Sequence, residues 1–292
     1  MLARGACGVA AAGHFVTSGG ATLPTMSVDF GPMKEMTKAI WSLGDYSPMA
    51  KLLEGAAREV VDACGITSGH HVLDVAAGTG NCAIAAARKG AHVVASDLTP
   101  ALVEIGRART DAEGLDVEWF DADVEDLPFE DDRFDVVTSV FGVIFAPRQG
   151  LAASEMLRVL HAGGSVGMAN WTPESFSRRM NDVFSKYAPP APVELPNPFE
   201  WGDEHAVQSL FGSAVSIQLD RRALEFEFES FDAMRFTFES HGGAVMAKQM
   251  LPPDVYESSG REFEALVREL NEGTGSSILI RNEYLLVVAH KA

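Results

Sequence analysis

The stretch HVLDVAAGTGNCAIAAARKG, His71 to Gly90, decides how the chain reads. A β-branched run carries a carboxylate near its end, Asp74, and is followed by a turn holding Gly78 and Gly80. An Ala-rich segment of helical character comes next, closed by Gly90. Strand, glycine turn and helix together make an anchor for nucleotides, because glycine lets a ligand approach the backbone and the helix N-terminus presents free N–H groups. The spacing Gly78-x-Gly80-x-x-Ala83 also satisfies the dinucleotide fingerprint, which alone is a weak signal. Asp74 discriminates between ligands: a carboxylate at a strand end disfavours a pyrophosphate and favours an ammonium, held directly or through water.

Outward from this stretch, short β-branched runs alternate with helical segments, the signature of βαβ units and a parallel sheet. Strands are expected at HVLDVA, HVVASD, VEWFDAD, FDVVTSVF and SVGMANW. The helix after the second strand opens with Thr99 as N-cap and Pro100 at its first position and closes at Gly114. LAASEMLRVLHAGG reads as a helix with Met156, Leu157 and Leu160 at helical spacing and a Gly163-Gly164 stop. Beyond Trp171 the alternation ends. Five prolines between Pro189 and Pro198 demand an extended loop. Leu224, Phe226 and Phe228 then alternate with Glu225, Glu227 and Glu229 in a half-solvated strand. Helical sequence follows from about Phe231 to Asn271, interrupted by HGG and LPPD, and YLLVVAHK suits a last strand inserted into the sheet.

The chain has 292 residues, 47% of them hydrophobic and 22% charged, enough apolar material for a sizeable core. Its net charge of −18 repels phosphate backbones and anionic lipid, so nucleic acid and membrane are excluded as expected partners. Cys7, Cys64 and Cys82 show no CxxC spacing, which argues against a disulfide framework or a structural zinc and fits a reducing, cytoplasmic setting; no metal is expected. Residues 1–26 read as a disordered leader or an over-long start, with Met26 as the true beginning. A single domain is expected over 27–292, with a cofactor-binding core over about 44–171 and an acceptor-pocket and C-terminal region over about 172–292.

Asp97 and Asp123 fall at the ends of the second and third expected strands. Asp97 is placed to accept from both hydroxyls of a ribose, and Asp123 from an adenine amino group, with the Val124 N–H beside it. S-adenosylmethionine, which combines an ammonium, a sulfonium and an adenosine, meets all three carboxylates. VLDVAAGTGN, ASDLTPALV, DADVEDLPFEDDRFDVVTSVF and EMLRVLHAGGSVGMANW closely resemble the successive motifs of class I S-adenosylmethionine-dependent methyltransferases, nearest the ubiquinone-biosynthesis-type small-molecule branch common in actinobacteria. The resemblance is strong over about Gly44 to Trp171 and weaker beyond. It implies an α/β, Rossmann-like fold with a seven-stranded, mostly parallel sheet whose last strand is antiparallel. Helices are implied on both faces, with a helical lid and acceptor-pocket region.

The resemblance assigns Asp74, Ala76, Gly78, Thr79, Gly80 and Asn81 to the methionyl part of S-adenosylmethionine. It assigns Asp97 and Leu98 to the ribose, Asp123 and Val124 to the adenine, and Ser139 to Phe141 to the sulfonium side. WSLGDYSPMA resembles the N-terminal lid helix of the family, with Tyr46 over the cofactor. Where the family usually has glycine before the aspartate matching Asp123, this chain has Ala122, so a slight backbone adjustment is expected.

Methyl transfer from a sulfonium is an in-line displacement, for which alignment and exclusion of water suffice; a base matters when the acceptor must lose a proton. His241, beside a flexible Gly pair in the variable helical region, is the candidate base, with a merely packed or exposed histidine as the competing reading. Phe145 and Trp171, with Phe141, are candidates for an apolar wall against a flat acceptor. Met33 and Met36 at helical spacing read as packing. Cys82 starts a helix, which can lower a thiol pKa, though a small buried residue is the plainer reading. The expected function is methyl transfer to O, N or C of a small apolar or aromatic metabolite, with S-adenosylhomocysteine as product. A non-catalytic S-adenosylmethionine-binding module or sensor is the alternative, and a nicotinamide-dependent dehydrogenase a third reading. Oligomeric state is open, a homodimer being compatible.

Overall fold

The computed structural model describes residues 29–188 and 195–292. The expected leader, Cys7, and Pro189, Pro190 and Pro192 of the proline-rich loop lie outside those residues. His71–Val75 forms β1, His92–Asp97 β2, Val117–Asp121 β3, Phe134–Val140 β4 and Leu160–Trp171 β5. Val215–Phe228 forms β6 and Ile278–Lys291 β7. These strands make a sheet of order β3-β2-β1-β4-β5-β7-β6, parallel from β3 to β5, with β7 antiparallel to both β5 and β6. The expected seven-stranded sheet with an antiparallel last strand is therefore what the chain builds.

The central strands are buried on both faces, which is why β1 and β2 read as nearly unbroken apolar runs. One face is covered by α2 (Ser47–Ala63), α3 (Asn81–Arg88), α4 (Pro100–Ala112), α8 (Phe231–Ser240) and α10 (Pro253–Leu270). Along α2, Leu53, Ala56, Ala57, Val60 and Val61 repeat at helical spacing and pack on Val72 and Val136. The other face is covered by α5 (Gln149–Val159) and α7 (Glu204–Phe211), which bury Met156, Val159, Val207 and Phe211 against Leu73, Val75 and Val137. Each such side chain taken fully from water contributes about 1.5–3 kcal/mol. The edge strand β6 alternates, exposing Asp220, Glu225 and Glu227, and those charges discourage pairing with another chain. Three further α-helices lie among the described residues: α1 (Gly31–Trp41), α6 (Phe176–Ser185) and α9 (Gly242–Met250). Among the described residues no helix is long and apolar enough to cross a membrane.

Three boundaries differ from the sequence reading. The helix expected to run through Leu160 to a Gly163-Gly164 stop ends at Val159, and LHAGG begins β5 instead. Leu160 pairs with Phe134 while Ser165 pairs with Val136, so the intervening residues bulge out, with Gly163 at φ +82° absorbing the turn. β3 stops at Asp121, leaving Asp123 two residues beyond it in a tight turn bridged to Asp126. β7 starts six residues before YLLVVAHK, because Ile278–Glu283 find antiparallel partners in Phe228–Ala223, the alternating second half of β6.

Candidate active site

The sheet order reverses direction between β1 and β4, and a ligand crevice opens at the carboxyl ends of parallel strands at such a switch point. Here the ends of β1, β2 and β4 and the turn after β3 line one cleft of about 1010 Å³, open solvent at its mouth included. The turn after β1 makes its floor. Gly78 has φ +57° and Gly80 φ +86°, the left-handed region that favours glycine. Over Gly78 a side chain would meet no atom, so the space above the turn is open. At Gly80 a Cβ would come within 2.7 Å of the Trp119 ring. Gly80 thus serves packing against β3.

Two non-glycine residues of the cleft also sit at positive φ, Ala76 at +49° and Phe141 at +58°, just past the ends of β1 and β4. The two strand ends pass close together: a Cβ on Gly142, next to Phe141, would lie 2.1 Å from the Ala76 carbonyl oxygen. Such conformations cost of order 1–3 kcal/mol each and persist where the surroundings over-determine them.

Asp74 is 1% exposed. Its register partner in β4 is Thr138, on the same face of the sheet, and the Thr138 hydroxyl donates to Oδ1 at 2.9 Å. Oδ2 accepts the Ala83 N–H at 3.0 Å, bracing the start of α3 under the turn. Burial pushes the Asp74 carboxyl up to about 7 against the lowering effect of those two donors. Asp97 ends β2, with Oδ2 accepting the Gly78 N–H and Oδ1 the Thr99 N–H, both at 2.8 Å. Burial pushes its carboxyl upward too. Every carboxylate oxygen has two acceptor positions, so both groups keep capacity toward the cleft after bracing its floor. Asp123 gives Oδ1 to the Glu125 N–H at 2.9 Å and Oδ2 to the Lys34 ammonium at 2.5 Å.

At the mouth, Trp41 packs edge-on to Tyr46 (5.5 Å between ring centres) and Phe145 (5.1 Å). Burial and the nearby Asp97 push the Tyr46 phenol above its ordinary value, so it stays protonated.

Residues 72–164 match the family described as a methyltransferase domain. The uncharacterized protein Rv1403c of Mycobacterium tuberculosis is 39% identical over 261 residues, 87% of this chain and 93% of the relative. A demethylmenaquinone methyltransferase of Clavibacter sepedonicus is 42% identical over 132 residues, 44% of this chain and 53% of that one. Among solved structures, a putative methyltransferase from Bacillus halodurans C-125 superposes with a TM-score of 0.55 at 22% identity, covering 80% of this chain and 97% of that one. The chain carries a methyltransferase domain on the class I methyltransferase fold.

In this methyltransferase, Tyr46, Asp74, Ala76, Gly78, Thr79, Asn81, Asp97, Leu98, Asp123, Val124, Phe141 and Phe145 all line the cleft. Four expected site residues do not. Gly80 packs on Trp119. Ser139 is fully buried, its hydroxyl accepting the Val143 N–H at 3.1 Å. Trp171 stacks on Phe141 at 3.8 Å and meets Phe226 and Tyr284 edge-on; it backs the cleft wall through Phe141. His241 is the N-cap of α9, where Nδ1 accepts the Gly243 N–H at 3.2 Å and the ring stacks on Trp41 at 6.1 Å. With Nδ1 an acceptor and burial lowering its pKa, the imidazole is neutral and carries its proton on Nε2, leaving no basic nitrogen for the cleft. Nor is the Gly pair beside it merely flexible, since a Cβ on Gly242 would lie 1.8 Å from the Ile40 carbonyl oxygen. Cys82 lines the cleft, but burial raises its thiol well above 9, the reverse of activation.

Several contributors escaped the sequence reading. Lys34, Thr37 and Trp41 lie on one face of α1 and line the cleft; their i, i+3, i+7 spacing was the available signal. Arg109, near the end of α4, donates to the Thr79 carbonyl oxygen (2.6 Å), the Thr79 hydroxyl (3.0 Å) and the Asn81 Oδ1 (3.0 Å), clamping the glycine turn from outside. Thr138 was hidden inside an apolar strand and is tied to Asp74 only by register.

Proposed function

We propose that this methyltransferase binds S-adenosylmethionine in the cleft and transfers its methyl group to a small, flat, apolar or aromatic acceptor. The observation that carries the reading is the convergence of three carboxylates, Asp74, Asp97 and Asp123, on one cleft with a glycine turn and an aromatic mouth. In that reading Asp74 and the turn to Asn81 receive the methionyl part, with Asp74 facing the ammonium. Asp97 and Leu98 receive the ribose, Asp123 and Val124 the adenine. Val140, Phe141 and Tyr46 surround the sulfonium side, where an apolar, water-poor wall favours transfer of a cationic methyl group to a neutral nucleophile.

S-adenosylmethionine supplies a methyl group on a positively charged sulfur, ready for in-line displacement. The chain's own residues then have to hold and align the two reactants and exclude water, which can supply roughly 7–11 kcal/mol of the barrier. Trp41, Tyr46 and Phe145 offer ring faces and edges to a planar acceptor. The demethylmenaquinone named in the Clavibacter relative fits a flat acceptor, but that match spans 53% of the relative, so the acceptor class rests on the aromatic mouth.

Incubating the purified chain with methyl-labelled S-adenosylmethionine and a fractionated metabolite extract tests the reading. Label should move into an organic-extractable aromatic fraction, with S-adenosylhomocysteine accumulating in step. Tight S-adenosylmethionine binding with label in no fraction would replace transfer by a binding or sensing role.

A further inference from the structure

Along the side of α1 that faces the cleft, Trp41 packs on aromatic rings at the C-terminal end, while the N-terminal half is held by charge. None of its eleven residues is buried, and a free helix of that length is not stable in water. What fastens its N-terminal half is Lys34, whose ammonium sits between Asp123 Oδ2, at 2.5 Å, and Glu125 Oε2. The Glu125 side chain is completely inaccessible to solvent. It is also held by the Arg148 backbone N–H at 2.5 Å and by Arg148 Nε at 2.8 Å. A carboxylate so enclosed keeps its position and is costly to leave unpaired. Asp123, by contrast, is partly open and lines the cleft, whereas Glu125 does not.

We propose that Lys34 is a positioning residue that straps α1 across the adenine end of the cleft, with Glu125 as its fixed anchor and Asp123 as an acceptor shared with the ligand. The inference rests on the assignment of Asp123 to the adenine amino group. When that amino group takes its bond from Asp123, Lys34 yields the contact but keeps Glu125, so α1 stays closed over the bound nucleoside. Trp41 lies two turns further along the same face and completes the cover at the mouth. The strap acts on escape of the ligand. Its loss therefore appears in the dissociation rate.

The test is stopped-flow dissociation of S-adenosylhomocysteine, read by tryptophan fluorescence, in which Trp41 reports α1. Lys34→Met should raise the dissociation rate about tenfold, and Lys34→Arg should return it to within about threefold of the parent. Lys38→Met removes an equal charge from the same helix but breaks only a pair with Glu35, so it should leave the rate unchanged within about twofold. Since α1 buries no residue, all three variants should keep the parent circular dichroism spectrum. An unchanged rate in Lys34→Met, or an equal rise in Lys38→Met, overturns the strap. If the parent chain binds no S-adenosylhomocysteine by calorimetry, the nucleoside assignment itself falls, and the strap with it.

Discussion

Titrating the parent chain and Asp74→Asn with S-adenosylmethionine across the neutral range turns the buried carboxylate into a quantitative prediction. In the ligand-free protein, burial holds Asp74 at about 7, against an ordinary value of 3.8. An ammonium brought within about 4–6 Å lowers a carboxylate by about 1–3 pH units, back toward its ordinary range. At pH about 6 most free protein carries a proton on Asp74 that the complex loses in part or in full, so binding releases about 0.4–0.9 proton. Affinity should rise about three- to fivefold between pH about 6 and 7 and level off near pH 8. It should decline again above about pH 8, where the ligand's own amino group deprotonates. Asp74→Asn should bind more weakly at pH about 7.5 and show no slope below 7.

The same group has a stability consequence of the opposite sense. Its folded value lies above its unfolded value, so its contribution is fully present below about pH 4 and is lost as pH rises through about 7. That contribution is worth about 4 kcal/mol at most, and ligand-free protein should resist urea better at pH about 5 than at pH about 8 on this account. Calorimetry in buffers of different ionisation enthalpy counts the protons. Binding that releases none at pH about 6, with Asp74→Asn equal to the parent in affinity, would refute the reasoning.

Arg109→Leu removes three donor contacts to the glycine turn from a partly exposed guanidinium, which should weaken S-adenosylhomocysteine binding about 5- to 30-fold by calorimetry. Ala76→Gly relieves a left-handed backbone but loosens the unfolded chain by about 0.4–1 kcal/mol, so urea unfolding should show stability unchanged or raised by up to about 2 kcal/mol. Ala76→Val should lower it. His241→Ala should lose about 1 kcal/mol of stability with its cap, His241→Asn should keep it, and neither should change the shape of the pH–rate profile; a lost limb in His241→Asn would restore the histidine as a base.

The cleft floor was legible because its chemistry is local. Asp74, Gly78 and Asp97 lie at strand ends that periodicity locates to within a residue or two, and a glycine turn between a strand and a helix has few other uses. What escaped depends on contacts distant in sequence. Thr138 meets Asp74 across 64 positions, Lys34 meets Asp123 across 89, and neither pair leaves a pattern in its own neighbourhood. His241 shows the reverse error: a chemically capable residue in a suggestive place proved to be committed to the backbone, at the N-cap of α9. Glycine at position 80 is required by the Trp119 ring, a contact 39 positions away that no local pattern announces. The extent of β5 was misjudged because LHAGG carries no apolar alternation, and only its pairing with β4 makes it a strand.

The account stands or falls with the identity of the nucleoside. Calorimetric titration of the purified chain with S-adenosylhomocysteine and, separately, with NAD decides it: one site per chain for the former, abolished in Asp97→Ala, and no heat with the latter. Heat with NAD and none with S-adenosylhomocysteine would contradict it.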